Sequence, residues 1–204
     1  MKRKLYFAML VHLSLFPPAV LCAGSPPSDC PGQTEIIFRE DFQSCVIGQT
    51  NRPGYWTTST EGPGKNIRWE VASMGALEPV MVLLARGDHP WRGEWRSEPI
   101  DLSSSGDAEI SIEVYSDIYS KPDDNCYVHL FYQTDTGDPV VWFSQTGDIY
   151  PRQTFVRKSS PLIDGKSLTV IIRVSTELAM GEEYLFRDIR VTGTRPDPTP
   201  VPEE

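Results

Sequence analysis

The sequence predicts an all-β protein, a two-sheet antiparallel β-sandwich of the jelly-roll kind, on three observations. Short β-rich runs recur across residues 35–193, bounded by turn residues such as Gly62-Pro63-Gly64, Ser105-Gly106-Asp107 and Asp164-Gly165-Lys166. No stretch of useful length carries the 3.6-residue apolar period of an amphipathic helix. Two runs alternate strictly. Ile110, Ile112 and Val114 oppose Glu109, Ser111, Glu113 and Tyr115; Leu168, Val170, Ile172 and Val174 oppose Thr169, Ile171, Arg173 and Ser175. Period two is the signature of a strand with one face on a core and one toward solvent.

The elements follow in chain order. Residues 1–23 read as a secretory signal peptide: Lys2, Arg3 and Lys4 form a basic start, residues 5–16 are apolar except for His12 and Ser14, Pro17-Pro18 breaks the run, and Ala23 precedes Gly24. The apolar run is shorter than the roughly 20 residues of a membrane span. Residues 24–34 form a loop segment. Strands are then expected at 35–42, 67–73, 80–86, 95–102, 109–118, 126–135, 140–145, 154–158, 168–177 and 183–192, making residues 35–193 the sandwich domain. The 126–132 run is apolar on both faces except for His129, which suggests a strand flanked on both sides. Residues 194–204 carry proline at 196, 198, 200 and 202, a pattern that favours a stiff polyproline II tail. The expected product is secreted, extracellular and not inserted in a membrane.

A chain of 204 residues, 39% hydrophobic, is long enough for one domain with a real core. Its 19 basic residues face 28 acidic ones, a net charge of −9. That balance repels nucleic acid and anionic membranes and excludes them as general partners. Removal of a signal peptide would leave Cys30, Cys45 and Cys126 in an oxidising compartment, where three cysteines cannot all pair within one chain. Cys30 and Cys45 flank the first strand and are the preferred disulfide; the other two pairings stay open. The odd thiol is free, buried or bonded to a second copy in a disulfide-linked homodimer.

Motifs for catalysis are missing. Beyond the signal peptide there are two histidines, His89 and His129, and neither stands in a metalloprotease, nucleophile-elbow or cysteine-protease context. No glycine-rich phosphate loop opens a helix, and Asn51, Asn66 and Asn125 lack the following residues of a glycosylation acceptor. The protein is expected not to be an enzyme.

A resemblance emerges from several short motifs. Glu40-Asp41-Phe42-Gln43-Ser44-Cys45 ends the first strand, Trp95-Arg-Ser-Glu-Pro-Ile-Asp-Leu102 leads into a long hairpin, Val141-Trp-Phe-Ser-Gln-Thr-Gly147 holds a tryptophan strand with a following glycine, and Tyr184-Leu-Phe-Arg-Asp-Ile-Arg-Val191 closes the domain. Together they resemble the MAM-type jelly rolls of extracellular adhesion proteins, with Arg187 where that family usually has an acid and only Cys126 of its second cysteine pair. The resemblance implies adhesion or recognition, and in some members a structural metal near the chain ends.

Candidate sites follow from the residues. Arg86-Gly87-Asp88 is expected on a turn between two strands, where glycine's conformational freedom would help present the guanidinium and carboxylate to an integrin. Gly and Asp are also simply frequent in turns. Glu40, Asp41 and Asp188 lie near the ends of the first and last strands, which often neighbour each other in jelly rolls and would gather hard oxygens for a structural Ca²⁺; the alternative is charge paired with Arg39, Arg187 or Arg190. Trp91 and Trp95, beside Arg92, Glu94 and Arg96, suit stacking on sugar rings, or else filling of the core. A polar face is expected to join Glu113, Tyr115, His129 and Arg173. The leading expectation is a secreted, non-catalytic adhesion module that binds an extracellular protein, an integrin through Arg86-Gly87-Asp88. The alternative is a carbohydrate-binding module or glycan-active lyase or hydrolase on the same fold.

Overall fold

A computed structural model describes residues 34–61, 68–74, 80–87, 91–117, 126–135, 137–149, 151, 153–176 and 182–194. The expected signal peptide and proline-rich tail lie outside these residues. The sequence expectation of two antiparallel sheets holds. In the first sheet, β10 (Val156–Ser159), β7 (Ala108–Asp117), β12 (Glu182–Thr194), β4 (Val80–Gly87) and β3 (Arg68–Met74) follow one another, and β1 (Thr34–Glu40) adds to the second half of β12. In the second, the order is β2 (Trp56–Glu61), β5 (Trp91–Ser97), β11 (Ser167–Thr176), β8 (Tyr127–Thr134) and β9 (Val140–Thr146), with β6 (Ile100–Asp101) on the start of β11.

The alternation legible in the sequence sets the two layers. Ile110, Ile112 and Val114 of β7 turn inward with Tyr184, Phe186, Ile189 and Val191 of β12 and meet Leu168, Val170, Ile172 and Val174 of β11 and Val128 and Leu130 of β8. Aromatic residues fill the ends of this core. Phe42 meets Trp56 edge-on at 6.0 Å, Trp56 lies 6.2 Å from Trp95, and Trp69 lies 6.1 Å from Phe186. Truncating any of these fully buried side chains leaves a cavity and costs about 3–5 kcal/mol.

Three departures from the expected elements matter for the surface. β2 was not expected, because Trp56-Thr-Thr-Ser-Thr-Glu61 is almost wholly polar; it is an edge strand whose one large apolar side chain, Trp56, enters the core. The expected strand 95–102 starts earlier and breaks at Glu98-Pro99, since proline has no N–H for the ladder. Ile171, expected on the solvent side, does face outward yet is fully buried, with Arg96 and Phe131 as its register neighbours.

Two backbone details shape the outer face of the first sheet. β12 slips by one residue against β7 between Arg187 and Arg190, and Asp188 takes a φ of 50° inside this bulge. Aspartate tolerates the left-handed region better than most residues, and the extra residue turns Asp188 to the same side as Arg187 and Arg190. Further along, an added Cβ at Gly193 would sit 2.5 Å from Ile37 Cδ1 and 3.0 Å from Ser105 Cβ, so any side chain there would have to push both aside.

Candidate functional site

The outer face of the second sheet is built by register. Ser59, Glu94, Arg173, His129 and Ser144 form one row across β2, β5, β11, β8 and β9; Glu61, Arg92, Ser175, Tyr127 and Thr146 form the next. Glu94 is the anchor. Its Oε2 accepts from Arg173 Nη2 at 2.7 Å and Nε at 3.2 Å, and its Oε1 accepts from Arg96 Nε at 3.1 Å. Arg96 Nη1 also donates to Gln133 Oε1 at 2.9 Å, and Gln133 Nε2 donates to the Gly137 carbonyl at 2.7 Å.

Along β8 the alternate residues Tyr127, His129 and Phe131 put three rings in line on this face. Tyr127 stacks on His129 at 4.3 Å with an interplanar angle of 22°, His129 meets Phe131 edge-on at 5.9 Å, and the Arg173 guanidinium lies 4.8 Å above the Phe131 ring. Burial, and after it the positive charge of Arg173, holds the His129 imidazole below its ordinary pKa, so the ring is neutral at pH 7. Beside the rings opens a depression of about 230 Å³ lined by Ser59, Glu61, Arg92, Gly93, Glu94, Tyr127 and Arg173. Among the described residues, the side chains of Ser59, Glu61 and Arg92 and the Tyr127 hydroxyl form no hydrogen bond or ion pair, so the depression carries uncommitted donors and acceptors.

The outer face of the first sheet is different. Glu113 accepts from Arg157 at 2.8 Å and Arg187 at 2.6 Å, and Asp188 accepts from Arg157 and Arg190 at 2.7 Å and Arg39 at 3.2 Å. Partial burial pushes both carboxyls up, but the hydrogen bonds and charges of these guanidinium groups outweigh it and hold both below their ordinary pKa. A small apolar patch adjoins them, where Ala72, Met74, Tyr115 and Phe155 cover Leu185.

The expected metal ligands do not converge. β1 and β12 are neighbours, as expected, with Glu40 opposite Ile189. Glu40, however, turns into the core, where it accepts from Arg52 Nη1 at 2.8 Å, Trp56 Nε1 at 3.0 Å and the Phe42 amide at 2.8 Å. Asp41 accepts from the Gln43 amide, and Arg39 reaches both Asp41, at 3.6 Å, and Asp188. Among the described residues no group of three or more His, Cys, Asp or Glu side chains is arranged to hold a metal. Positive charge for these acids comes from arginines, the alternative that Arg39 and Arg190 already suggested in the sequence.

The remaining expectations divide. Trp95 is fully buried in the core and offers no surface to a sugar, because β5 turns it inward with Ser97 while Arg92, Glu94 and Arg96 turn outward. Trp91 opens β5 opposite Thr176, and its side chain lies outside the described set. Glu113 and Tyr115 sit on the first sheet and His129 and Arg173 on the second, so the polar face expected to join all four does not exist. Cys45 carries a free thiol packed against the core, its pKa raised by burial and then by the charge of Glu40; its expected partner, Cys30, lies outside the described residues. Sequence reasoning missed the aromatic line on β8, although its spacing at 127, 129 and 131 was legible once His129 was known to face out.

No protein-family model and no curated protein matches the chain. Solved structures share its β-sandwich fold. The K3 cleaved adhesin domain of Lys-gingipain from Porphyromonas gingivalis superposes with a TM-score of 0.54 at 11% identity, covering 78% of this chain and 99% of that one. The CBM22-1 xylan-binding domain of Paenibacillus barcinonensis Xyn10C gives 0.47 at 16% identity over 82% and 99%. The carbohydrate-binding module TmCBM61, in complex with β-1,4-galactotriose, gives 0.48 at 11% identity over 69% and 88%.

The expectation of an integrin-binding adhesion module is overturned. Arg86 and Gly87 are not on a turn: they are the last residues of β4, paired with Glu183 and Glu182 of β12, and Arg86 also with Arg68 of β3. Asp88 lies outside the described residues. A ladder hydrogen-bonded to a neighbouring strand holds the backbone extended, which does not give a turn's presentation of the two charged ends.

Proposed function

We propose that the chain is a non-catalytic carbohydrate-binding module that holds a sugar chain on the outer face of its second sheet. The observation that carries this reading is the line of Tyr127, His129 and Phe131 running beside a depression in which Ser59, Glu61, Arg92 and the Tyr127 hydroxyl have no partner among the described residues. A pyranose ring has an apolar C–H face that packs on an aromatic ring and a rim of hydroxyls that need donors and acceptors. Arg92, Ser59, Glu61 and the Tyr127 hydroxyl supply that rim, and Glu94 keeps Arg96 and Arg173 in place beforehand, which lowers the ordering cost of binding. Glu94 is committed to two guanidinium groups, which suits a positioning role better than that of a general acid. Secretion, expected from residues 1–23, would put such a module where polysaccharides are met.

The reading is tested by screening the full chain on a glycan array and titrating the best ligand calorimetrically. Tyr127→Ala should weaken that binding about tenfold, the scale of one lost stacking contact and hydrogen bond. Its melting temperature should stay close to the parent's. Retention of no glycan, or unchanged affinity in Tyr127→Ala, overturns the reading.

A further inference from the structure

We propose that this face selects an anionic sugar chain, one bearing carboxylate or sulfate groups, and that Arg92 is the residue that makes the selection. The inference rests on the carbohydrate reading and names the ligand class of that same site. Three guanidinium groups, on Arg92, Arg96 and Arg173, stand on one face of a chain whose net charge is −9. Two of them share a single carboxylate, Glu94, so their cluster keeps an excess of positive charge. Arg92 is exposed and makes no ion pair among the described residues, although Glu61 stands opposite it in the β2–β5 register.

The physics of covering the depression then discriminates between ligands. A neutral sugar laid over Arg92 strips water from a full charge and returns only bonds to neutral acceptors, with no opposite charge. An anionic group accepts from the planar fork in two charge-assisted bonds. Specificity arises mostly from the penalty on the wrong ligand, which leaves a desolvated charge unpaired. Glu61, on the β2 side, repels an anion there and confines the acidic group of the sugar to the side of Arg92 and Arg173. The Tyr127 hydroxyl and Ser59 remain for neutral hydroxyls.

Calorimetry on the full chain with three oligosaccharides matched in length decides the matter: one neutral, one built of uronic acids and one sulfated. At least one anionic oligomer should bind about tenfold tighter than the neutral one, and the advantage should shrink as salt is raised. Whichever of the two binds tighter identifies the acidic group. Arg92→Gln should abolish the advantage. Arg157→Gln makes the same charge change on the outer face of the other sheet and should leave it intact. Equal affinity for neutral and anionic oligomers, or equal effects of the two substitutions, overturns the selection by Arg92 and leaves the carbohydrate reading standing. If none of the three binds and the glycan array is also blank, the carbohydrate reading itself falls.

Discussion

On the outer face of the first sheet, Glu113 and Asp188 between them hold Arg39, Arg157, Arg187 and Arg190, whereas on the second sheet Glu94 holds Arg96 and Arg173 and Arg92 has no partner among the described residues. The residue types are the same. On the first sheet the bulge at Asp188 brings one extra carboxylate to the surface and the network closes on itself. On the second sheet no bulge intervenes between β5 and β11, and one end of the guanidinium row opens onto a depression. The comparison teaches that a charged sheet face is structural where each charged side chain has a partner and available for binding where one does not.

The largest expected effect belongs to the limiting case of closure, Glu40, which is buried with Trp56 and paired with the partly exposed Arg52. Burial opposes the charge of Arg52, but Glu40 outweighs it and raises the arginine's pKa. Glu40→Ala should lower stability in urea by about 3 kcal/mol, because it strands a guanidinium and an indole N–H. Asp188→Ala should cost about 2 kcal/mol, since it removes the shared acceptor of three arginines and puts alanine at a positive φ. Asp188→Asn should cost less, as asparagine tolerates that φ. Arg92→Gln, on the open face, should stay within about 0.5 kcal/mol of the parent; a larger loss would show that Arg92 is structural and would erase the contrast.

Acid titration sharpens the same contrast. Glu113 and Asp188 have depressed pKa values in the folded protein, so their stabilisation is present above the unfolded value of about 4 and is lost as pH falls through the folded ones. Glu113→Gln should flatten the acid limb of a melting-temperature profile. His129 is also depressed, so its contribution is lost as pH falls below about 6.5, and His129→Phe should remove the slope that begins there. A profile unchanged in Glu113→Gln would mean that the first-sheet network is screened by solvent and is not the closed structure its geometry suggests.

The sandwich itself was legible because period-two alternation is local: Ile110, Ile112 and Val114, like Leu168, Val170, Ile172 and Val174, declare their inward side within a few residues. β2 escaped because an edge strand of threonines has no apolar alternation to read. Trp95 stayed open between a sugar platform and the core because its charged neighbours are adjacent in sequence; in a strand adjacent residues face opposite ways, and Trp95 fills the core while they face out. The first and last strands were rightly expected to pair, but the composition of their carboxylates said nothing about which would turn inward.

By itself the amino-acid pattern determined most of the strands, the buried sides of β7 and β11 and hence two antiparallel layers, since each depends on interactions within one strand and on its own hydrophobic burial. Only the tertiary structure decided the sites. Glu94 reaches Arg173 across 79 residues and Arg187 reaches Glu113 across 74, and both contacts depend on strand order and register. Those are set by how two whole sheets pack, so a shift of one residue would turn each of these side chains to the other face.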